Sequence, residues 1–220
     1  MKARLAALLL ILAGLAAPAQ AEVVGDTQDG FIHRYTAGNG QELYYVSTME
    51  EETVLTEDVN FDGEDDLVVL TSLGASNAFY EFYVWDGAQY VLAWRDELTG
   101  SGIPNYTLYP EKGLVCATAK NGWAGMLHET VLFCWEGTSM RRVRSAVSDN
   151  PVETTYDGSI ITETTDTDGL CIRVTEPEYD ENGCSLSDRV LYEREMTAEW
   201  TFEQGAALLD EEADALWHGL

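Results

Sequence analysis

Residues 58–70 read Asp-Val-Asn-Phe-Asp-Gly-Glu-Asp-Asp-Leu-Val-Val-Leu. Acidic and amide side chains alternate around one glycine over 58–66, and the chain then turns abruptly apolar. The apolar half is a strand signal: a short β-branched run preceded by turn residues, with no 3.6-residue period. The acidic half is a loop, and two readings of it stay open. It is either a cation-binding turn or an Asx-rich turn whose side chains satisfy its own backbone.

The same grammar recurs along the chain. IHRYTAGNGQELYYVS (32–47) is expected to be a hairpin turning at Gly38-Asn39-Gly40. AFYEFYVWDGAQYVLAW (78–94) turns at Asp86-Gly87, where glycine accepts the positive φ of a tight turn. ETVLFCWEGTSMRRVRS (129–145) turns at Glu136-Gly137, and TTYDGSIITET (154–164) at Asp157-Gly158. RVLYEREMTAEWTF (189–202) reads as one or two further strands, and only AALLDEEADALW (206–217) has a helical pattern. Two hairpins share a Trp-acid-Gly ending, Trp85-Asp86-Gly87 and Trp135-Glu136-Gly137, fifty positions apart. A spacing of that size suits stacked β-units. The expected fold is all-β: antiparallel hairpins in a β-propeller-like or, alternatively, a β-sandwich arrangement, with a short C-terminal helix.

The 220-residue chain begins with Met1-Lys2-Ala3-Arg4, an apolar run from Leu5 to Ala17, and Ala19-Gln20-Ala21. This is the pattern of a secretory signal peptide over 1–21. No lipobox accompanies it, because the first cysteine is Cys116. The expectation is a periplasmic or secreted protein without membrane insertion, with residues 22–220 forming a single all-β domain.

The chain has 39 acidic and 12 basic residues, a net charge of −27. Such a field repels phosphate and disfavours nucleic acid and anionic lipid, while it favours a metal ion or a basic protein. The four cysteines, Cys116, Cys134, Cys171 and Cys184, contain no CxxC spacing and in an exported protein suggest bridges. A hairpin centred near Gly125 would set Cys116 opposite Cys134. A fold-back about Pro177 and Asn182-Gly183 would join Cys171 to Cys184.

Calcium takes about 6 to 8 oxygens near 2.3–2.6 Å. In the 58–66 loop, Asp58, Asn60 and Asp62 supply side-chain oxygens, Gly63 permits the bend, Glu64 offers its carbonyl, and Asp66 closes the set. Val59 and Phe61 fall between and are expected to pack away from the ion. An EF-hand needs a carboxylate at the twelfth position. Val69 stands there, so that motif is excluded. Three carboxylates so close together repel unless neutralised, which favours bound Ca2+ over the plain turn. Thr164–Cys171 and Glu178–Gly183 lack the flanking acids and read as turns.

These residues, DVNFDGEDDL followed by a Tyr-Val-Trp-Asp-Gly hairpin and a second Trp-Glu-Gly hairpin, resemble the calcium loops of the FG-GAP/VCBS class. The order is similar to exported bacterial β-propeller-like proteins related to periplasmic i-type lysozyme inhibitors and to a calcium-dependent immunity protein against a peptidoglycan-hydrolase effector. The resemblance covers roughly residues 40–145. It implies a protein that inhibits a peptidoglycan hydrolase by plugging its cleft with a protruding loop carrying a Ser-Gly…Tyr element. Two segments match in part: Ser101, Gly102 and Tyr106, at a longer spacing than the family motif, and the 121–128 loop, where Trp123 or His128 would replace the tyrosine. The implied partner, a lysozyme-like hydrolase, is commonly basic, which suits an acidic inhibitor. A calcium-stabilised envelope module with another protein or glycan ligand is the alternative.

No GxSxG, HExxH or Cys–His nucleophile pattern is present, and the histidines are His33, His128 and His218. With 39 acids, a carboxylate pair at glycosidase spacing is uninformative. The chain is read as a binder, with a hydrolase as the remote alternative.

Overall fold

The computed structural model describes residues 20–51, 53–93, 102–122, 127–150, 152–156, 161–165, 169–196 and 202–220. Residues 1–19 of the expected leader, together with Ser101 and Trp123, lie outside them. The protein is built of antiparallel β-sheets with one C-terminal helix.

The first sheet is a meander of β1 (Gln20–Thr27), β2 (Gly30–Thr36) and β3 (Glu42–Ser47). The second orders β4 (Val54–Glu57), β5 (Asp66–Leu73), β6 (Ala78–Trp85) and β7 (Tyr90–Leu92), with the short β8 (Ile103–Pro104) also pairing β6. The third begins with β9 (Thr107–Tyr109), β10 (Leu114–Gly122), β11 (Leu127–Glu136) and β12 (Ser139–Asp149). A separate ribbon, β13 (Val152–Tyr156) with β14 (Ile161–Thr165), interrupts it. The third sheet resumes with β15 (Leu170–Tyr179) and β16 (Ser185–Met196), in the order β16-β15-β12-β11-β10-β9. Helix α1 (Phe202–Trp217) follows.

The apolar half of the opening stretch explains how the sheets meet. β5 is buried on both faces, which is why it reads as a continuous apolar run instead of an alternating one. Successive side chains point to opposite faces. Leu67 and Val69, with Tyr83 of β6, pack against Tyr35, Leu43 and Tyr45 of the first sheet. Val68, with Phe82 and Val84, packs against Val115, Ala117, Phe133 and Met140 of the third. The third sheet buries Leu170, Ile172 and Val174 against Leu208 and Leu216 of α1. The result is a stack: first sheet, second sheet, third sheet, helix. At its open end Val23, Val24, Tyr44 and Val46 are exposed. Of the two expected arrangements the layered, sandwich-like one is present.

The predicted turns at Gly38–Gly40, Asp86-Gly87 and Glu136-Gly137 each join the expected strands. Gly87 and Gly137 adopt φ of 94° and 63°, the left-handed conformations those turns demand. The Asp157-Gly158 turn lies outside the described residues.

The disulfide expectations are corrected. All four cysteines are free thiols. The β10–β11 hairpin pairs Cys116 with Leu132 and Leu114 with Cys134, two positions away from a Cys–Cys pair, with a register shift between Lys120 and Gly122. Diagonal neighbours at that offset stand about 7–8 Å apart, beyond a disulfide's reach. Cys171 lies near the start of the extended β15 and Cys184 in the turn beyond its far end, because Pro177 does not turn the chain. Pro177 is tolerated there because β12 pairs β15 only as far as Thr175, and β16 alone borders it. The hairpin turns instead at Asp180–Cys184, where Asp180 Oδ1 accepts the Asn182 and Cys184 N–H groups.

Two buried polar contacts fasten α1 to the third sheet. Arg144, only 7% exposed, donates through Nη1 to the carbonyls of Ala215, Leu216 and His218 at 3.3, 2.8 and 2.9 Å. A buried cation thereby satisfies the orphan carbonyls at the helix C-terminus. His128 Nε2 lies 2.7 Å from Glu212 Oε1, near the middle of the helix. Among the described residues no helix is long and apolar enough to cross a membrane.

Candidate functional site: the acidic loop and the tryptophan hairpins

The 58–66 loop closes on itself through its own side chains. Asp62 N–H donates to both Asp58 Oδ1 and Asn60 Oδ1, each at 3.1 Å. Gly63 N–H donates to Asp58 Oδ2 at 3.0 Å and Glu64 N–H to Asp62 Oδ1 at 2.9 Å. Asn60 Nδ2 donates to Asp62 Oδ2 at 2.8 Å. Three oxygen-bearing side chains are thus turned inward on one small bend, the alternation the sequence indicates. Gly63 has φ of 89°, and Phe61 takes the same left-handed region at 66° while its ring packs on the core. Val59 is fully buried.

Asp66 is placed differently from the others. Its carboxylate is inaccessible to solvent, and both oxygens accept backbone N–H groups, Oδ2 from Val59 at 3.1 Å and Oδ1 from Trp85 at 2.9 Å. Burial pushes its carboxyl above the ordinary range, while the N–H groups of Trp85, Val59 and Asn60 pull the other way. Asp66 therefore anchors the loop to the second sheet, and the loop-facing oxygens belong to Asp58, Asn60 and Asp62. Among the described residues no three His, Cys, Asp or Glu side chains gather as a ready cage. The side-chain oxygens turned into this bend belong to two carboxylates and one amide. This hard oxygen set suits calcium chemically, with water completing the shell.

Of the two alternative partner segments, residues 94–101 and 123–126 lie outside the described residues. Residues 102–106, the described part of the first segment, are held against the second sheet. A Cβ on Gly102 would stand 2.3 Å from the Tyr80 carbonyl oxygen, Ile103 is fully buried, and β8 pairs with β6. Asn105, at φ 37°, donates to the carbonyls of Ser76 and Thr118 and accepts from Ala78 N–H. Tyr106 packs edge-on against Tyr80 and Phe82 and donates to Glu57 Oε2 at 2.6 Å. Burial first, and that hydrogen bond second, raise its phenol far above the usual range. His128 is engaged under α1.

The structure brings together something the sequence signalled only as a repeat. The acidic loop and the tips of the two Trp-acid-Gly hairpins enclose an open cleft of about 640 Å³. Asn60, Asp62, Glu64, Trp85, Asp86 and Trp135 line it, with the backbone of both turns. Trp135 stacks towards Phe82 with centroids 6.5 Å apart, and Trp85 tilts against Tyr90 at 5.1 Å. Asp86 Oδ1 accepts N–H from Ala88 and Gln89, both at 2.8 Å, and these bonds lower its carboxyl below the ordinary range.

No family model and no curated protein matches the chain. It is similar to a solved structure described as a Xanthomonas type IV secretion system related protein. The alignment has 12% identity, covers 76% of this chain and 85% of that one, and gives a TM-score of 0.41. At that score the likeness carries no argument.

Proposed function

We propose that this is an exported, non-catalytic calcium-binding protein that binds a basic peptidoglycan hydrolase and inhibits it. What supports the calcium half is that the Asp58, Asn60 and Asp62 side chains all turn inward on one short bend, where the loop's own N–H groups draw their oxygens together. Asp58, Asn60 and Asp62 would hold the ion with the Glu64 carbonyl. Asp66 would hold the bend in place. Calcium here supplies charge neutralisation and loop rigidity, with no step in a reaction. Metal-filled, the bend stiffens the connection between β4 and β5, the strand buried on both faces.

The net charge of −27 supports a basic partner, because complementary fields speed encounter and select against acidic competitors. The resemblance of residues 40–145 to lysozyme-inhibitor-like proteins supplies the class of partner. The test is clearance of a peptidoglycan suspension by a panel of basic lysozyme-like hydrolases, with calcium and with chelator. Stoichiometric, calcium-dependent loss of hydrolase activity is expected. Full activity of every hydrolase at saturating protein would sink the reading.

A further inference from the structure

The cleft between Trp85 and Trp135 is assembled from three separate segments, the 58–66 loop and the turns of the β6–β7 and β11–β12 hairpins. They meet at one end of the interface between the second and third sheets. Asp66 ties the first segment to the second through the Trp85 N–H. The position of the walls is therefore set by buried structure. At about 640 Å³ the space lies within the range of ligand pockets, about 300–1,000 Å³.

Its chemistry is one-sided. Two indoles contribute rings, Asp62, Glu64 and Asp86 contribute carboxylates, and among the described lining residues none is basic. Asp62 is occupied within its own loop by Glu64 N–H and Asn60 Nδ2. Asp86 is braced by two N–H groups in an exposed turn. Indole faces and carboxylates attract the same kind of group, a cation with an apolar stem. Anions are repelled. A sugar could stack on the rings and donate hydroxyls to the carboxylates, but it would gain nothing from the chain's net charge of −27, which favours a cationic group.

We propose that this cleft is the docking surface for a lysine or arginine side chain on a loop of a basic protein partner. The proposal deepens the functional reading above and rests on it for the partner's basic character. It moves the contact surface from 101–106 and 121–128 to the hairpin tips. The stem of the cationic side chain lies along the indoles and its head faces Glu64 and Asp86.

The probe is a triarginine peptide titrated into the purified protein at fixed calcium, read by tryptophan fluorescence and calorimetry. Triglutamate and chitotriose serve as comparisons. Saturable triarginine binding is expected, weakened at least tenfold in Glu64→Gln/Asp86→Asn and in Trp85→Ala, and lost at high salt as exposed charge pairing requires. Glu203→Gln, on the distant helix, should bind like wild type. The Glu64→Gln change leaves the backbone carbonyl untouched, so the calcium response reports that the loop is intact. No triarginine binding, equal binding in the charge variants, or chitotriose binding in its place overturns the proposal. Hydrolase inhibition in the same variants separates the two readings. Equal inhibition by wild type and the cleft variants overturns this surface and leaves the inhibitor reading standing. Triarginine binding with no hydrolase inhibited supports the cleft and removes the inhibitor.

Discussion

Asp66 Oδ1 accepts a 2.9 Å hydrogen bond from the N–H of Trp85, nineteen residues further along the chain. The acid stands where the acidic loop becomes β5, and the tryptophan stands where β6 becomes its turn. One buried carboxylate therefore fixes both the loop that carries the oxygen donors and a wall of the cleft.

Replacing Asp66 with alanine should leave the Val59 and Trp85 N–H groups without acceptors in a site closed to water. Each orphaned donor costs about 1–3 kcal/mol, so a loss of about 3 kcal/mol is expected in urea unfolding. Asp66→Asn keeps one acceptor and should lose less. Equal stability of Asp66→Ala and wild type would refute the anchoring role.

Calcium should raise the melting temperature of the protein. At a hundred times its dissociation constant a ligand of the folded state adds about 2.7 kcal/mol, several degrees for a chain of this size. Asp58→Ala/Asp62→Ala should melt at one temperature with calcium or chelator. A wild type that ignores calcium would reduce 58–66 to an Asx turn.

Gly102→Ala should be costly although the residue carries no side chain to lose. Its Cβ would meet the Tyr80 carbonyl oxygen at 2.3 Å, and backbone atoms cannot step aside as a flexible side chain can. Detachment of β8 from β6 and a loss of about 1–3 kcal/mol are expected. Denaturant midpoints of Gly102→Ala and Gly74→Ala, where a Cβ would stand 3.5 Å from the Asn77 carbonyl oxygen, make the comparison.

Asp86 sets a pH limb. Its carboxyl is lowered by the Gln89 and Ala88 N–H groups, so the folded state favours the ionised form. The stabilisation is present above the unfolded value of 3.8 and is lost as pH falls through the lower folded value. The melting-temperature gap between wild type and Asp86→Asn should therefore close in acid. Asp66, raised by burial, has the opposite sign: its ionisation costs stability as pH rises.

The hairpins were legible because their signals are local. Gly87 and Gly137 terminate β-branched and aromatic runs, and turn chemistry needs only neighbours in sequence. The inward alternation of Asp58, Asn60 and Asp62 was legible for the same reason. The cysteine pairings failed because the hairpin register sets Cys116 against Leu132 and Leu114 against Cys134, and because a strand bordered on one side accepts Pro177. The cleft was half legible. The Trp-acid-Gly repeat marked both hairpins, but their convergence depends on Val68 and Phe82 facing one neighbour while Val69 and Tyr83 face another. Contacts such as Arg144 to the carbonyl of Leu216, seventy-two residues apart, leave no periodic trace.

The three stacked sheets are also consecutive in the chain, 20–47, then 54–104, then 107–196. A polypeptide emerging N-terminus first can complete each layer from residues already available, and short-range pairing of this kind favours fast formation. The second layer is then the vulnerable stage. Until β10–β12 arrive, the face bearing Val68, Phe82 and Val84 is bare, a sticky surface of the kind that drives aggregation during synthesis. Mutual repulsion among nascent chains this acidic gives that exposed face time to be covered.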